Sequence, residues 1–423
     1  MFQPVTANGA ETTGQRRRPL VLILGLPLGG GHMTAARVIR RHLEAERPGG
    51  FEIRVQDLSL HVRVGSRPAS WLSAQFYWIS VALFGGRTYA RLYAYADRHP
   101  RRIARLTWRV FGRDTAAWLA EQDADLIIAT HPLATHLAAT ALRGTPTAVV
   151  GVVTDAGRVN RLWWEGEPDL LLVTHEDLVR QAEAARPGRL RVQNIGLIAD
   201  PELSTAETAD EARRRIGLDD AFTVLLSGGG LGYGPNLERL AHRLRGARLP
   251  AGTRFLVATG RNATLRASIT EALAPWSPVV CPGEGMTDMM LAADLVIGKA
   301  GWLTVSECIT AGKPVIVVDQ VPGQEDENAA LVESLGIGRR MSVEEAEAAL
   351  HRYAADPSLL RQDFAVRRDL YDKRIGSYLS DAARELTTRR WLVAVADAED
   401  VDDDEAGQED EEAPVLPSMP QGA

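Results

Sequence analysis

Eight short runs of aliphatic and β-branched residues set the pattern of this chain: "LVLILGL", "DLIIATH", "TAVVGVVTD", "DLLLVTH", "FTVLLSGG", "TRFLVATG", "ADLVIGKAG" and "PVIVVDQ". None alternates polar with apolar, and amphipathic stretches rich in Ala and Arg separate them. A strand that is apolar on both faces has to be covered on both, which helices in the connections achieve, so the runs predict parallel sheets between helical layers. The fold class is α/β, and an all-helical or all-β chain is excluded.

The layout repeats once. "VLILGLPLGGGH" from Val21 and "TVLLSGGGLGYG" from Thr223 each place a strand before a glycine cluster and a helix. Between them "VQNIGLIADPELS" has the Gly and Pro of a linker, and 423 residues suffice for two domains with separate cores. We expect a disordered arm at 1–18, a first Rossmann-like domain at 19–199 and a second at 200–374. A helix at 375–392 is expected to cross back to the first domain, ahead of a disordered acidic tail at 393–423. Open parallel sheets take ligands at their strand C-termini, so the cleft between the two halves is the expected site.

Charge is unevenly spread. Asp397 to Glu412 holds eleven acids and no base, and removing those eleven from the net −7 leaves +4. From His61 to Arg113 there are ten Arg against one acid, Asp97, and ten of the aromatic residues. Cys281 and Cys308 form neither a disulfide framework nor a metal-ligand spacing, which points to a reduced, intracellular chain. Arg16-Arg17-Arg18 before "PLVLIL" imitates a signal peptide, but no small-residue cleavage site follows, so a buried first strand is expected. No charge-free apolar run reaches the roughly 18 residues of a spanning helix.

The glycine turns fail the standard tests. A phosphate-binding loop needs G-x-x-x-x-G-K-[ST], and no Lys follows either cluster; neither fits G-x-G-x-x-G, since Gly29-x-Gly31 is followed by Thr34 and Gly228-x-Gly230 by Tyr233. What remains is a set of backbone N–H groups at helix starts, where glycine permits close approach of an anionic or polar ligand. The stretch from Ala293 to Ala329 offers more. A strand ends at Gly298, a loop turns at Gly301, and the helix "LTVSECITA" follows, so loop amides and the positive dipole end suit a diphosphate. Ser306 and Glu307 lie near that helix start, where a carboxylate can accept both hydroxyls of a ribose or can serve only as a surface charge. "PGQEDEN" then gathers Gln324, Glu325 and Asn328 at a strand end, as a sugar-binding cluster or as a polar loop.

In their order, "GGGHMTAARVI", "ATHPLATH", "VVTD", "LLSGGGLGYGP", "ADLVIGKAGWLTVSE" and "PGQEDEN" resemble family 28 of the GT-B glycosyltransferases. The resemblance covers roughly residues 20–390 and is nearest the monogalactosyl- and glucosyl-diacylglycerol synthases. It implies a UDP-sugar in the second half, with diphosphate contacts from Gly228, Gly229, Gly230 and the loop of Lys299, Gly301 and Trp302. It further implies ribose contact by Glu307, sugar contacts by Gln324, Glu325 and Asn328, and a uracil-facing loop "VVCPGEGMTDMM" with a backbone contact at Met286. Two positions depart from the family pattern: Trp302 replaces a small residue, and Leu231 replaces the Glu of "GGGEG".

Glycosyl transfer with inversion needs a base for the acceptor hydroxyl and positive potential for the leaving diphosphate. His32, His131 and Asp155 all fall at strand C-termini of the first half, facing the cleft. His32 is the expected base, His131 an acceptor or phosphate contact, and Asp155 either the base or the group that orients His32; His136 and His175 are read as structural. Asp123-Ala124-Asp125 precedes its strand, at the end away from the cleft, and no metal or other cofactor is expected. The acceptor is expected to be a lipid; by composition the Arg- and aromatic-rich segment 61–113, including "WLSAQFYWISVALF", is either an interfacial element or an ordinary helix pair with solvated arginines, and the resemblance implies that it binds an anionic membrane surface, at the cytoplasmic inner face of the plasma membrane. No nucleic-acid partner is expected. A UDP-sugar 2-epimerase or a nucleotide-sugar-binding protein without activity are the competing readings.

Overall fold

The computed structural model describes residues 17–27, 30–64, 67–69, 87–204, 209–281, 285–323, 325–370 and 375–388. Two six-stranded sheets organise it, each parallel throughout. The first contains β1 (Leu20–Gly25), β2 (Glu52–Asp57), β3 (Leu126–Ala129), β4 (Ala148–Val152), β5 (Leu170–Val173) and β6 (Val192–Asn194), in the order β2-β1-β3-β4-β5-β6. The second contains β7 (Thr223–Ser227), β8 (Arg254–Ala258), β9 (Val279–Val280), β10 (Leu295–Lys299), β11 (Val315–Asp319) and β12 (Gly338–Arg340), in the order β9-β8-β7-β10-β11-β12.

The eight apolar runs supply β1, β3, β4, β5, β7, β8, β10 and β11, the interior strands of the two sheets. The other four strands are all edges. β2 alternates exposed and half-buried residues, and β6 and β9 are half-buried. An edge strand keeps one side in water and needs no apolar run, so it carries a weaker pattern.

The helices that bear on function are α1 (Gly31–Glu46), α2 (Arg87–Arg98), α3 (Pro100–Gln122), α4 (Pro132–Ala141) and α5 (Glu176–Ala185) on the first sheet's side. On the second lie α6 (Met286–Ala292), α7 (Trp302–Ala311) and α8 (Asp326–Ser334). Residues 375–388 form a last helix, α9. It packs on the first lobe, where Ser377 Oγ donates to Glu46 at 2.9 Å and Arg191 forks onto Glu385 at 2.9 and 3.0 Å.

Asp125 shows why the Asp-x-Asp pair belongs to the fold. Its buried carboxylate accepts from Leu20 N–H at 2.7 Å at the start of β1, and Arg17 pairs with both Asp123 and Asp125. An unpaired strand-end amide beneath the sheet would cost of order 1–3 kcal/mol, which this carboxylate avoids.

Candidate functional site

Because every strand in both sheets runs the same way, the turns after β1, β4, β7, β8 and β10 gather at one cavity of about 570 Å³. His32, Thr154 and Asp155 line it from the first lobe, and Gly229, Gly230, Met286, Lys299, Gly301, Trp302, Glu307 and Glu325 from the second. The two glycine clusters meet at its wall. Gly30 has φ +75°, and a methyl there would come 2.9 Å from Leu231 N. Only glycine meets both demands, left-handed backbone and backbone-on-backbone approach.

His32 is the second residue of α1, whose N-cap Gly30 supplies no capping side chain and whose first turn has no acid. Its ring is buried, and Nδ1 lies 2.6 Å from the Thr130 carbonyl. A carbonyl only accepts, so Nδ1 carries the proton and Nε2 keeps the lone pair. Thr154 Oγ1 sits 3.0 Å from the same Nδ1, and Thr130 Oγ1 donates to the His32 carbonyl at 2.9 Å. Burial, followed by the positive Lys299, lowers the His32 pKa to about 4 against the opposing Thr130 bond. The imidazole is therefore neutral at pH 7.

His131, expected as an acceptor or phosphate contact, is not on the cavity lining. It is the N-cap of α4, its Nδ1 accepts from Leu133 N–H at 3.1 Å, and its ring stands edge-on to His32 at 4.6 Å between centroids. Burial and the neighbouring His32 hold its pKa well below the ordinary histidine value. It lies behind His32 and supports that ring. Asp155 lines the cavity, but the groups that orient His32 are Thr130 and Thr154. The Thr-His pair in "IIATH" was the available signal, and a backbone carbonyl role cannot be read from side-chain types.

On the opposite wall Lys299 ends β10 and forms a buried ion pair with Glu325, whose other oxygen accepts from Val321 N–H at 2.9 Å. Lys299 threads between two glycines: a methyl at Gly229, φ +68°, would come 2.6 Å from its Cε, and one at Gly301 would come 2.7 Å from its Nζ. Gly301 is the N-cap of α7 and provides no side-chain cap, so the α7 amides face the loop beside the ammonium. Backbone donors, a dipole end and a cation converge there.

Trp302 opens α7 at 4% exposure and packs in the apolar core while lining the cavity; its Nε1 and the buried Ser306 Oγ have no hydrogen-bond partner among the described residues. Ser306 does not reach the lining. Glu307, the next residue, lines it beside the Arg41–Asp200 ion pair. Burial, then the Asp200 charge, raise its pKa to about 8 in spite of Arg41. Met286 opens α6 after Gly285 and lines the same wall.

Two expected ligands are spent elsewhere. Asn328 is fully buried: its Oδ1 accepts from Ala156 N–H at 3.3 Å and its Nδ2 donates to the Ala300 carbonyl at 3.0 Å. Both ends of the amide are satisfied, and it joins the two lobes rather than touching a sugar. Gly228 donates its N–H to the Ala258 carbonyl at 2.9 Å, within the sheet, and is not on the lining. Gln324 and Gly29 lie outside the described residues, as does "WLSAQFYWISVALF".

Residues 32–197 match the family model for monogalactosyldiacylglycerol (MGDG) synthase, and residues 254–357 that for the glycosyltransferase family 28 C-terminal domain. The "Probable monogalactosyldiacylglycerol synthase 2, chloroplastic" of Oryza sativa subsp. japonica is 28% identical over 342 residues, 75% of this chain and 70% of that protein. The chloroplastic monogalactosyldiacylglycerol synthase of Spinacia oleracea is 29% identical over 356 residues, 79% of this chain and 65% of that one. MurG of Acinetobacter baumannii shares the fold, with a TM-score of 0.52 at 16% identity over 87% of this chain and 99% of that one. Two family models thus match successive parts of the chain, the MGDG synthase model over the first lobe and the glycosyltransferase family 28 C-terminal model over the second, on a GT-B fold.

Proposed function

We propose that the protein transfers a hexose from a UDP-sugar to a lipid hydroxyl, a diacylglycerol-type acceptor, with inversion and without a metal ion, while held peripherally at the cytoplasmic inner face of the plasma membrane. One observation carries this reading: a neutral histidine whose Nε2 keeps its lone pair shares a cavity with the buried Lys299–Glu325 pair and the open start of α7.

The acceptor oxygen attacks the sugar's anomeric carbon from the His32 side. Its proton passes to His32 Nε2, the new C–O bond forms, and the bond to the diphosphate breaks, leaving UDP. Lys299 and the amides at Gly229, Gly230 and Gly301 stabilise the charge that develops on the leaving diphosphate. Glu307 accepts from the ribose hydroxyls, and Met286 meets the uracil through its backbone. A dianionic diphosphate beside Lys299 offsets the positive field that depresses His32, so the base strengthens once donor is bound.

Lipid delivery is supported by α2 and α3. Leu92, Tyr95, Leu106 and Val110 project apolar side chains at 43–58% exposure among several exposed arginines. Apolar groups that enter an interface and cations that meet anionic headgroups together give peripheral binding. No helix of the described residues is long and apolar enough to cross a membrane. The test is incubation with labelled UDP-Gal, UDP-Glc and UDP-GlcNAc and diacylglycerol in anionic vesicles. Labelled glycolipid is expected from one donor, and its absence with all three refutes the transferase reading.

A further inference from the structure

Away from the cleft, a basin of about 960 Å³ opens where α2 meets α3. Arg98, Arg101, Arg102 and Arg105 line it from that junction, Arg158 and Arg161 from the loop after β4, and Arg186 from the residue that follows α5. Glu165 is the one carboxylate on its lining among the described residues, and it pairs with Arg186 at 2.6 Å. Asp97, beside the basin, pairs with Arg158 at 3.1 Å. Arg98, Arg102, Arg105 and Arg161 have no carboxylate in salt-bridge range among the described residues, and all four are exposed. Seven guanidinium groups against two carboxylates, Glu165 and the adjacent Asp97, leave a concave excess of positive charge that calls for a polyanion.

The chain carries one. Residues 397–412 hold eleven acids and no base. Where the described chain stops also matters. Glu385 of α9 is bonded to Arg191, five residues beyond Arg186, and the intervening chain turns back with Arg189 N–H on the Arg186 carbonyl at 3.1 Å. Five residues span at most about 18 Å and the eight residues 389–396 at most about 29 Å, so the linker length is compatible with the first acids meeting the Arg186 side of the basin.

We propose that the acidic segment 397–412 seats on this arginine basin in cis and competes there with anionic membrane surfaces. Tethering supplies a high effective concentration, and added salt weakens the contact because the groups are exposed. The inference concerns the surface of α2–α3 and holds whether or not the cleft transfers sugar.

The test uses the full chain and a full-length variant in which the eleven acids are replaced by Asn or Gln. A fluorescent peptide of residues 397–412 is expected to bind the neutralised chain at least about tenfold more tightly than the native one. Adding Arg101→Glu, Arg102→Glu and Arg161→Glu to the neutralised chain removes that binding, with the thermal midpoint as the folding control. Hydrogen exchange across residues 98–105 should be slower in the native chain than in the neutralised one, and vesicles of phosphatidylglycerol in phosphatidylcholine should bind the neutralised chain more tightly. Equal peptide binding to both chains, or to neither, overturns the proposal. So does equal vesicle binding with unchanged exchange, which would make the basin a headgroup site without an internal occupant.

Discussion

The two glycine turns look alike in sequence and end up opposite in chemistry. The first leads from β1 into α1 and delivers a neutral, proton-accepting histidine held by a backbone carbonyl. The second leads from β7 and leaves room for a lysine from another strand. Both are permissive backbone at a strand C-terminus. What differs is the side chain that each turn's spare volume admits, and the contact of Gly30 with Leu231 sets base and cation in one cavity. A turn motif thus marks where a ligand can approach, and the neighbouring strands determine what meets it.

Breaking the first turn's chemistry should give the largest effect. His32→Ala is expected to reduce turnover about 10²–10⁴-fold in single-turnover assays while UDP affinity stays within about twofold. A matching loss of UDP affinity would move His32 from base to binding group. Because its pKa lies near 4, activity in the native enzyme should not fall through His32 protonation until the pH drops below about 5. Lys299→Met removes a depressing charge and should shift that limb to higher pH.

Breaking the second turn's cation tests stability as well. Lys299→Met leaves Glu325 buried without its partner, expected to cost about 3–5 kcal/mol in urea unfolding, and Lys299→Met with Glu325→Gln should recover most of it. If the single variant unfolds at the native midpoint, the pair is not buried in solution. The contact between the turns is next. Gly30→Ala combines positive φ with a close approach to Leu231 N and should cost about 1–3 kcal/mol, read as a lower thermal midpoint and weaker closure on UDP.

The smallest effect concerns Glu307. A ribose that donates to it needs the carboxylate, and its pKa in the free protein is about 8. UDP affinity should therefore rise with pH, by about tenfold from pH 6 to 7, and level off above 8, with a proton released on binding. Calorimetry in buffers of different ionisation enthalpy measures that proton. A flat profile in the native protein, identical to that of Glu307→Gln, would separate Glu307 from the ribose.

Interior strands were legible because a strand buried on both faces must be apolar throughout, whereas the edges β2, β6, β9 and β12 escaped notice because water covers part of each. Most candidate residues, His32 and Lys299 among them, come together at the cavity because each stands just past the end of an apolar run. Asn328 and His131 misled because residue type does not reveal which hydrogen-bond partners are already engaged: Ala156, Ala300 and Leu133 satisfy them through backbone groups far away or locally.

By itself the sequence determined the α/β class, the doubled layout, the turns at which a ligand can enter and the separation of positive and negative charge along the chain. These depend on local periodicity and composition, which a linear string displays directly. Only the tertiary structure decided which nitrogen of His32 is basic, which polar groups remain for a ligand, and that Arg158, Arg161 and Arg186 join the α2–α3 arginines in one basin. Those outcomes depend on distances between residues far apart in the chain and on backbone carbonyls and amides, which every residue carries and no residue type announces.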